Sequence, residues 1–136
     1  MDITNLKRQH NDIIDLVNYV LHKIENNVVE QNIQDIVLSI NTITGKLKVH
    51  LLNEDKYLYP HLMNNTNITL NISGKKFFEE MKKVTIKYEN YKSNYNTPSK
   101  VKQNIEAFNK DTKQIFKILM DRIQREENEL YPLVKK

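Results

Sequence analysis

Four blocks of apolar residues at helical spacing constrain this chain more than any other feature. The first runs Leu6, His10, Ile13, Val17, Val20, Ile24, and the second Ile33, Ile36, Ile40, Ile43, Leu47, His50, Glu54, Leu58. The third runs Phe77, Met81, Val84, Tyr88, Tyr91, Tyr95, and the fourth Ile105, Phe108, Thr112, Ile115, Leu119, Arg122, Glu126, Leu130. At about 3.6 residues per turn each series lies on one helical face. Polar breaks at 25–32, 63–74 and 93–99 separate them, so helices are expected near 3–25, 32–62, 74–95 and 98–134. Asn32 is placed to cap the second helix, and Thr97 followed by Pro98 suits the start of the fourth. Short connections make successive helices antiparallel neighbours. The expected fold is all-α, an up-down-up-down antiparallel four-helix bundle, forming one domain over residues 1–136. Two glycines and three prolines are too few turn-formers for a β-protein of this length.

The same stripes contain residues that do not belong in an apolar core. His10, His50, Glu54, Arg122 and Glu126 are all in step with the inward face, where an unpaired polar group costs several kcal/mol. Their heights agree: His10 is roughly 10 Å into its helix, and Glu54 and Glu126 are each roughly 12 Å from the ends of theirs. With helices 2 and 4 opposed to helix 1, these groups fall in one layer near one end of the bundle, and helix 3 reaches it near Met81.

Two readings follow. His50 and Glu54, at i and i+4, share a face as a common metal requires. With His10 and Glu126 they make a donor set suited to iron, manganese or zinc, and two histidines plus a carboxylate with open positions suit ferrous iron. The other reading is a metal-free salt-bridged layer, with Arg122 between Glu54 and Glu126 and the histidines hydrogen-bonding around it. Such a layer fixes helix register, and the protein would then act as an interaction module for a partner protein.

Other features carry less. His22 falls about 120° from His10 around its helix and is expected to be exposed. His61 suits a surface or capping role, and Tyr88, Tyr91 and Tyr95 suit core positions. The triplets in 64-NNTNITLNIS-73 read as chance matches to a glycosylation pattern in a polar loop. There is no glycine-rich phosphate loop, nucleophile elbow or HExxH, and no residue set beyond the candidate ligands supports an enzyme. The absence of cysteine removes thiolate ligands and thiol catalysis. A net charge of +4, with lysines scattered among acids, argues against nucleic acid as a partner. No run approaches the roughly 18 apolar residues of a membrane span, and the first residues lack a signal-peptide pattern. A cytoplasmic protein without membrane association is expected.

The segment 50-HLLNEDKYLYPHL-62 has a partial copy in 122-RIQREENELYPLV-134. Glu54 matches Glu126, Leu58 matches Leu130, Tyr59 matches Tyr131 and Pro60 matches Pro132, but His50 meets Arg122. Together with LKRQHNDI in the first helix, these segments resemble the hemerythrin-like, or HHE cation-binding, domains over essentially the whole chain. That resemblance implies a four-helix bundle, which in this family typically holds two non-haem irons and serves in carrying or sensing oxygen or in responding to nitric oxide or iron stress.

Carried over position by position, the resemblance makes His10, His50, Glu54 and Glu126 metal ligands. It also places the family's helix 4 histidine on Arg122 and its helix 3 histidine on Met81. Arginine stays protonated and cannot coordinate a metal. A full diiron centre is therefore disfavoured: either one iron or similar divalent transition metal is held, or none, with Arg122 neutralising the carboxylates. The partners expected are a small diatomic ligand such as oxygen or nitric oxide, or an unidentified protein.

Overall fold

The structure, a computed structural model, describes residues 2–134. Among them there is no strand. Helix α1 spans Thr4–Glu25, and just beyond its cap Asn27 turns the chain with a φ of 55°. A single 3₁₀ turn, Glu30–Asn32, leads into α2, Ile33–Asn53. A π-helical turn, Glu54–Leu58, joins α2 to α3, Tyr59–Met63. Helix α4 spans Ile68–Tyr95 and the short α5 Pro98–Lys102. Helix α6, Ile105–Arg125, passes through a second π turn, Glu126–Leu130, into α7, Tyr131–Val134. Helix α1 packs on α2 and α6, and α4 packs on α2, α3 and α6. No helix among the described residues is long and apolar enough to cross a membrane.

Several boundaries differ from the sequence expectation. The third helix begins at Ile68, not near residue 74, so the Asn-rich stretch is partly helical. Asn67 caps it, its side chain accepting from Thr69 N at 3.0 Å and Leu70 N at 3.4 Å. The apolar stripe misses this start because Ile68 and Ile72 face outward while Gly74 faces inward. A Cβ on Gly74 would lie 2.8 Å from Leu62 Cβ, so the absent side chain is what lets α4 close on α3. The fourth stretch is broken after α5, and Asn104 restarts it by accepting from Ala107 N at 2.9 Å. Thr97 makes no side-chain cap bond, and neither does Asn32, whose amide instead donates back to Val28 O at 2.7 Å.

Both π turns immediately precede Tyr-Pro. Proline has no N–H for the i→i−4 ladder and its ring presses on the i−4 carbonyl, which the wider turn relieves. In each turn the tyrosine N–H reaches back five residues, Tyr59 to Glu54 O and Tyr131 to Glu126 O.

The buried apolar residues form two clusters. The larger runs from Ile13 to Ile24 on α1, Ile33 to Leu47 on α2, Met81 to Tyr95 on α4 and Phe108 to Ile123 on α6. The smaller gathers Ile3, Leu6, Leu58, Tyr59, Leu62, Phe77, Leu130, Tyr131 and Val134. Along α1, α2 and α6 the residues between the two clusters are His10, then His50 and Glu54, then Arg122 and Glu126. The polar layer therefore lies between two apolar seals.

Candidate metal centre

The layer is assembled by three helices. His10 comes from α1, His50 from the last turn of α2, Glu54 from the π turn behind it, Arg122 from α6 and Glu126 from the second π turn. All five are buried, Arg122 at 4% exposure being the least so. One donor atom from each of His10, His50, Glu54 and Glu126 lies within 4.8 Å of the others.

Glu126 is the hub. Its Oε1 stands 2.8 Å from His10 Nε2 and 3.4 Å from His50 Nε2, while its Oε2 lies 3.5 Å from Arg122 Nη2. His50 Nε2 is also 3.2 Å from Glu54 Oε2. The far nitrogens of both imidazoles are engaged outside the cluster. His50 Nδ1 lies 2.8 Å from Gln9 Oε1, and His10 Nδ1 lies 3.3 Å from Glu127 Oε2. An Nδ1–H donating to an outer oxygen leaves Nε2 for the centre, the usual arrangement of a metal-binding histidine.

The electrostatics are those of a crowded, dry layer. Burial, and next the Glu126 charge, push the Glu54 carboxyl up to about 7. Burial is the largest influence on Glu126 and would raise it, but hydrogen bonds from His10 and His50 hold it well below the usual carboxylate range. Burial would lower His50, yet its hydrogen bonds to Glu126 and Glu54 and their charges push it up to about 10. Among the described residues, the buried Glu54 Oε1 has no hydrogen-bond partner, and Glu126 Oε2 has only its 3.5 Å ion pair with Arg122. An unsatisfied buried carboxylate oxygen beside two inward imidazole nitrogens fits a cation.

Arg122 does not lie between the two glutamates. It pairs with Glu126 and, at 3.3 Å, with Glu80, and donates to Phe77 O at 2.9 Å and to Tyr59 OH at 3.3 Å. Its guanidinium sits 4.7 Å from the Phe77 ring centre. Glu80 is shared with Arg125 at 2.7 Å, which draws the Arg122 head toward α4 and away from Glu54. Met81 is buried beside Tyr59 in the lining of a cavity of about 310 Å³ between α2 and α4. The α4 groups that meet Arg122 are thus Phe77, one turn before Met81, and Glu80. His22 and His61 are exposed and lie apart from the cluster.

Sequence reasoning missed the two tyrosines. The Tyr131 hydroxyl lies 3.0 Å from Glu54 Oε2, 3.2 Å from His10 Nε2 and 3.4 Å from His50 Nε2, in the middle of the donor cluster. Its ring stacks on His10 at 5.3 Å. Burial, then the charges of Glu126 and Glu54, raise its phenol above the usual range. Tyr59, its counterpart in the repeat, goes instead to Arg122. In an α-helix a residue five beyond the glutamate points about 140° off its face. The π turn takes up the extra residue and brings it back. The repeated Leu-Tyr-Pro was the available signal. Gln9 and Glu127 were missed because each is a half-buried neighbour of a stripe residue.

Compared with models of known families, residues 1–134 match the hemerythrin HHE cation-binding domain. No curated protein and no solved structure matches the chain.

Proposed function

The chain belongs to the hemerythrin HHE cation-binding family, and from that premise we propose that it forms one domain, in the cytoplasm, holding one non-haem iron in an up-down-up-down antiparallel four-helix bundle. Its role in this reading is to respond to oxygen, nitric oxide or iron supply. The observation that carries the metal assignment is the buried set His10, His50, Glu54 and Glu126, with donor atoms within 4.8 Å and the Glu54 Oε1 oxygen unpartnered among the described residues. The order of contacts supports the topology. Gln9 meets His50 and Asp12 meets Lys46; Phe77 meets Arg122 and Tyr91 meets Thr112.

In this proposal His10 and His50 bind through Nε2, held in orientation by Glu127 and Gln9. Glu126 and Glu54 supply oxygen. Iron so held supplies one-electron chemistry and open coordination positions for a diatomic ligand. The apolar clusters on either side exclude water. Arg122 occupies the other half of the layer, where its fixed charge repels a second cation and engages the second oxygen of Glu126. One metal per chain follows.

The buried Glu54 Oε1, which has no partner among the described residues, weighs against the metal-free layer, which would leave it desolvated and unpaired. Metal analysis of untagged protein purified without chelators tests the assignment. One iron per chain is expected. Protein that neither carries nor takes up a transition metal would return the layer to a register-fixing role, and two coupled irons would refute the stoichiometry.

A further inference from the structure

We propose that Tyr131 is a fifth donor to the metal, its phenolic oxygen joining His10, His50, Glu54 and Glu126. The inference rests on the metal reading above and deepens it by adding a residue and a preference.

The hydroxyl is where a donor needs to be. It lies 3.0–3.4 Å from Glu54 Oε2, His10 Nε2 and His50 Nε2, and the residue is fully buried. Those three atoms belong to candidate ligands, and the hydroxyl has no other hydrogen-bond partner among the described residues. The tyrosines outside the layer differ. Tyr88 donates to Ile40 O, Tyr91 bonds Thr112 and Tyr95 donates to Asp111, each an ordinary means of satisfying a buried or half-buried phenol. At position 131 a phenylalanine would fill the same volume in the apolar cluster. The oxygen serves only the cluster.

The local backbone is shaped to the same end. The π turn Glu126–Leu130 returns Tyr131 to the face of Glu126. Tyr59 has the same π turn and Leu-Tyr-Pro context, but its hydroxyl accepts from Arg122 Nη2 at 3.3 Å. The repeat therefore delivers one phenol to each half of the layer, and the arginine takes the second one.

Two imidazoles, two carboxylates and a phenolic oxygen form a hard, oxygen-rich set. On binding, the Tyr131 O–H bond breaks as the metal–oxygen bond forms, and the proton leaves to solvent with the others that the metal displaces. Such a set favours ferric over ferrous iron and over soft ions.

The test uses the whole chain, freed of metal and titrated with ferric citrate, followed by visible absorption, resonance Raman and metal analysis. A phenol bound to ferric iron gives a visible charge-transfer band and enhanced ring vibrations, which a merely structural tyrosine does not. Wild type is expected to show both at one iron per chain. Tyr131→Phe should keep helical circular dichroism and still bind iron, yet lose the band. Tyr59→Phe, the control from the other half, should keep it. Iron bound by wild type without the band, or a band surviving in Tyr131→Phe, overturns the assignment of Tyr131 while leaving the metal site intact. Failure of wild type to bind iron overturns both.

Discussion

Arg122 and Glu126 face each other across one helical turn at 3.5 Å, and the carboxylate meets the arginine with Oε2 while His10 and His50 meet Oε1. One buried glutamate thus divides the layer into a half with donors and a half with a fixed cation. The chain's metal capacity and much of its local stability follow from that division.

Replacing the cation should enlarge the capacity. Arg122→His places a neutral imidazole four residues before Glu126, the spacing His50 already has to Glu54. Metal content should rise above one per chain in equilibrium dialysis with ferrous iron under anaerobic conditions. An unchanged stoichiometry would show that α4, which carries no histidine, limits the second site instead.

The two glutamates should differ in the metal-free chain. Glu126→Gln removes the counter-charge of a buried arginine and the shared acceptor of two histidines, and should cost about 3–5 kcal/mol in denaturant unfolding. Arg122 does not pair with Glu54, so Glu54→Gln should leave the midpoint at pH 8 near or above wild type. Both variants should lose the metal. Equal destabilisation by the two changes would contradict the division of the layer.

Acidity should act oppositely on the empty and loaded protein. His50 is raised from 6.5 to about 10, so its contribution is fully present below 6.5 and lost as pH rises through 10. Glu54 is raised from 4.5 to about 7, so the chain also loses stability as the unfolded state sheds that proton between those values. The metal-free protein should weaken from about pH 5 to 10. Metal binding needs both groups deprotonated, so these two release about two protons at pH 6 and about one at pH 8, besides the one that Tyr131 gives up as a donor. Affinity should therefore climb with pH, steeply below 7 and less steeply above. Isothermal titration in buffers of different ionisation enthalpy counts the protons, and a pH-independent affinity would exclude His50 and Glu54 as ligands.

The glycines offer a test of packing apart from the site. A methyl on Gly74 meets Leu62 Cβ at 2.8 Å, so Gly74→Ala should cost about 1–3 kcal/mol as α3 and α4 are forced apart. Gly45 is exposed within α2 with nothing within 4 Å, so Gly45→Ala should stabilise by about 0.5–1 kcal/mol. Thermal unfolding of both variants decides it, and a Gly74→Ala chain as stable as Gly45→Ala would mean that α3 yields freely.

The sequence by itself determined the helices and the membership of the polar layer. Both are matters of period: an apolar residue every three or four positions defines a buried face, and His10, His50, Glu54, Arg122 and Glu126 keep its phase. A local repeat cannot say which buried group meets which. That Arg122 turns to Glu80 and Phe77 instead of Glu54, and that Gln9 and Glu127 hold the outer nitrogens of His50 and His10, depends on side-chain reach between helices. The start of α4 at Ile68 escaped because its inward face there carries a glycine, legible only once Leu62 packs against it. Tyr59 and Tyr131 escaped because a period of about 3.6 turns them away from the layer. Only the widened turns before the prolines, stabilised by packing in the second apolar cluster, bring their hydroxyls to it.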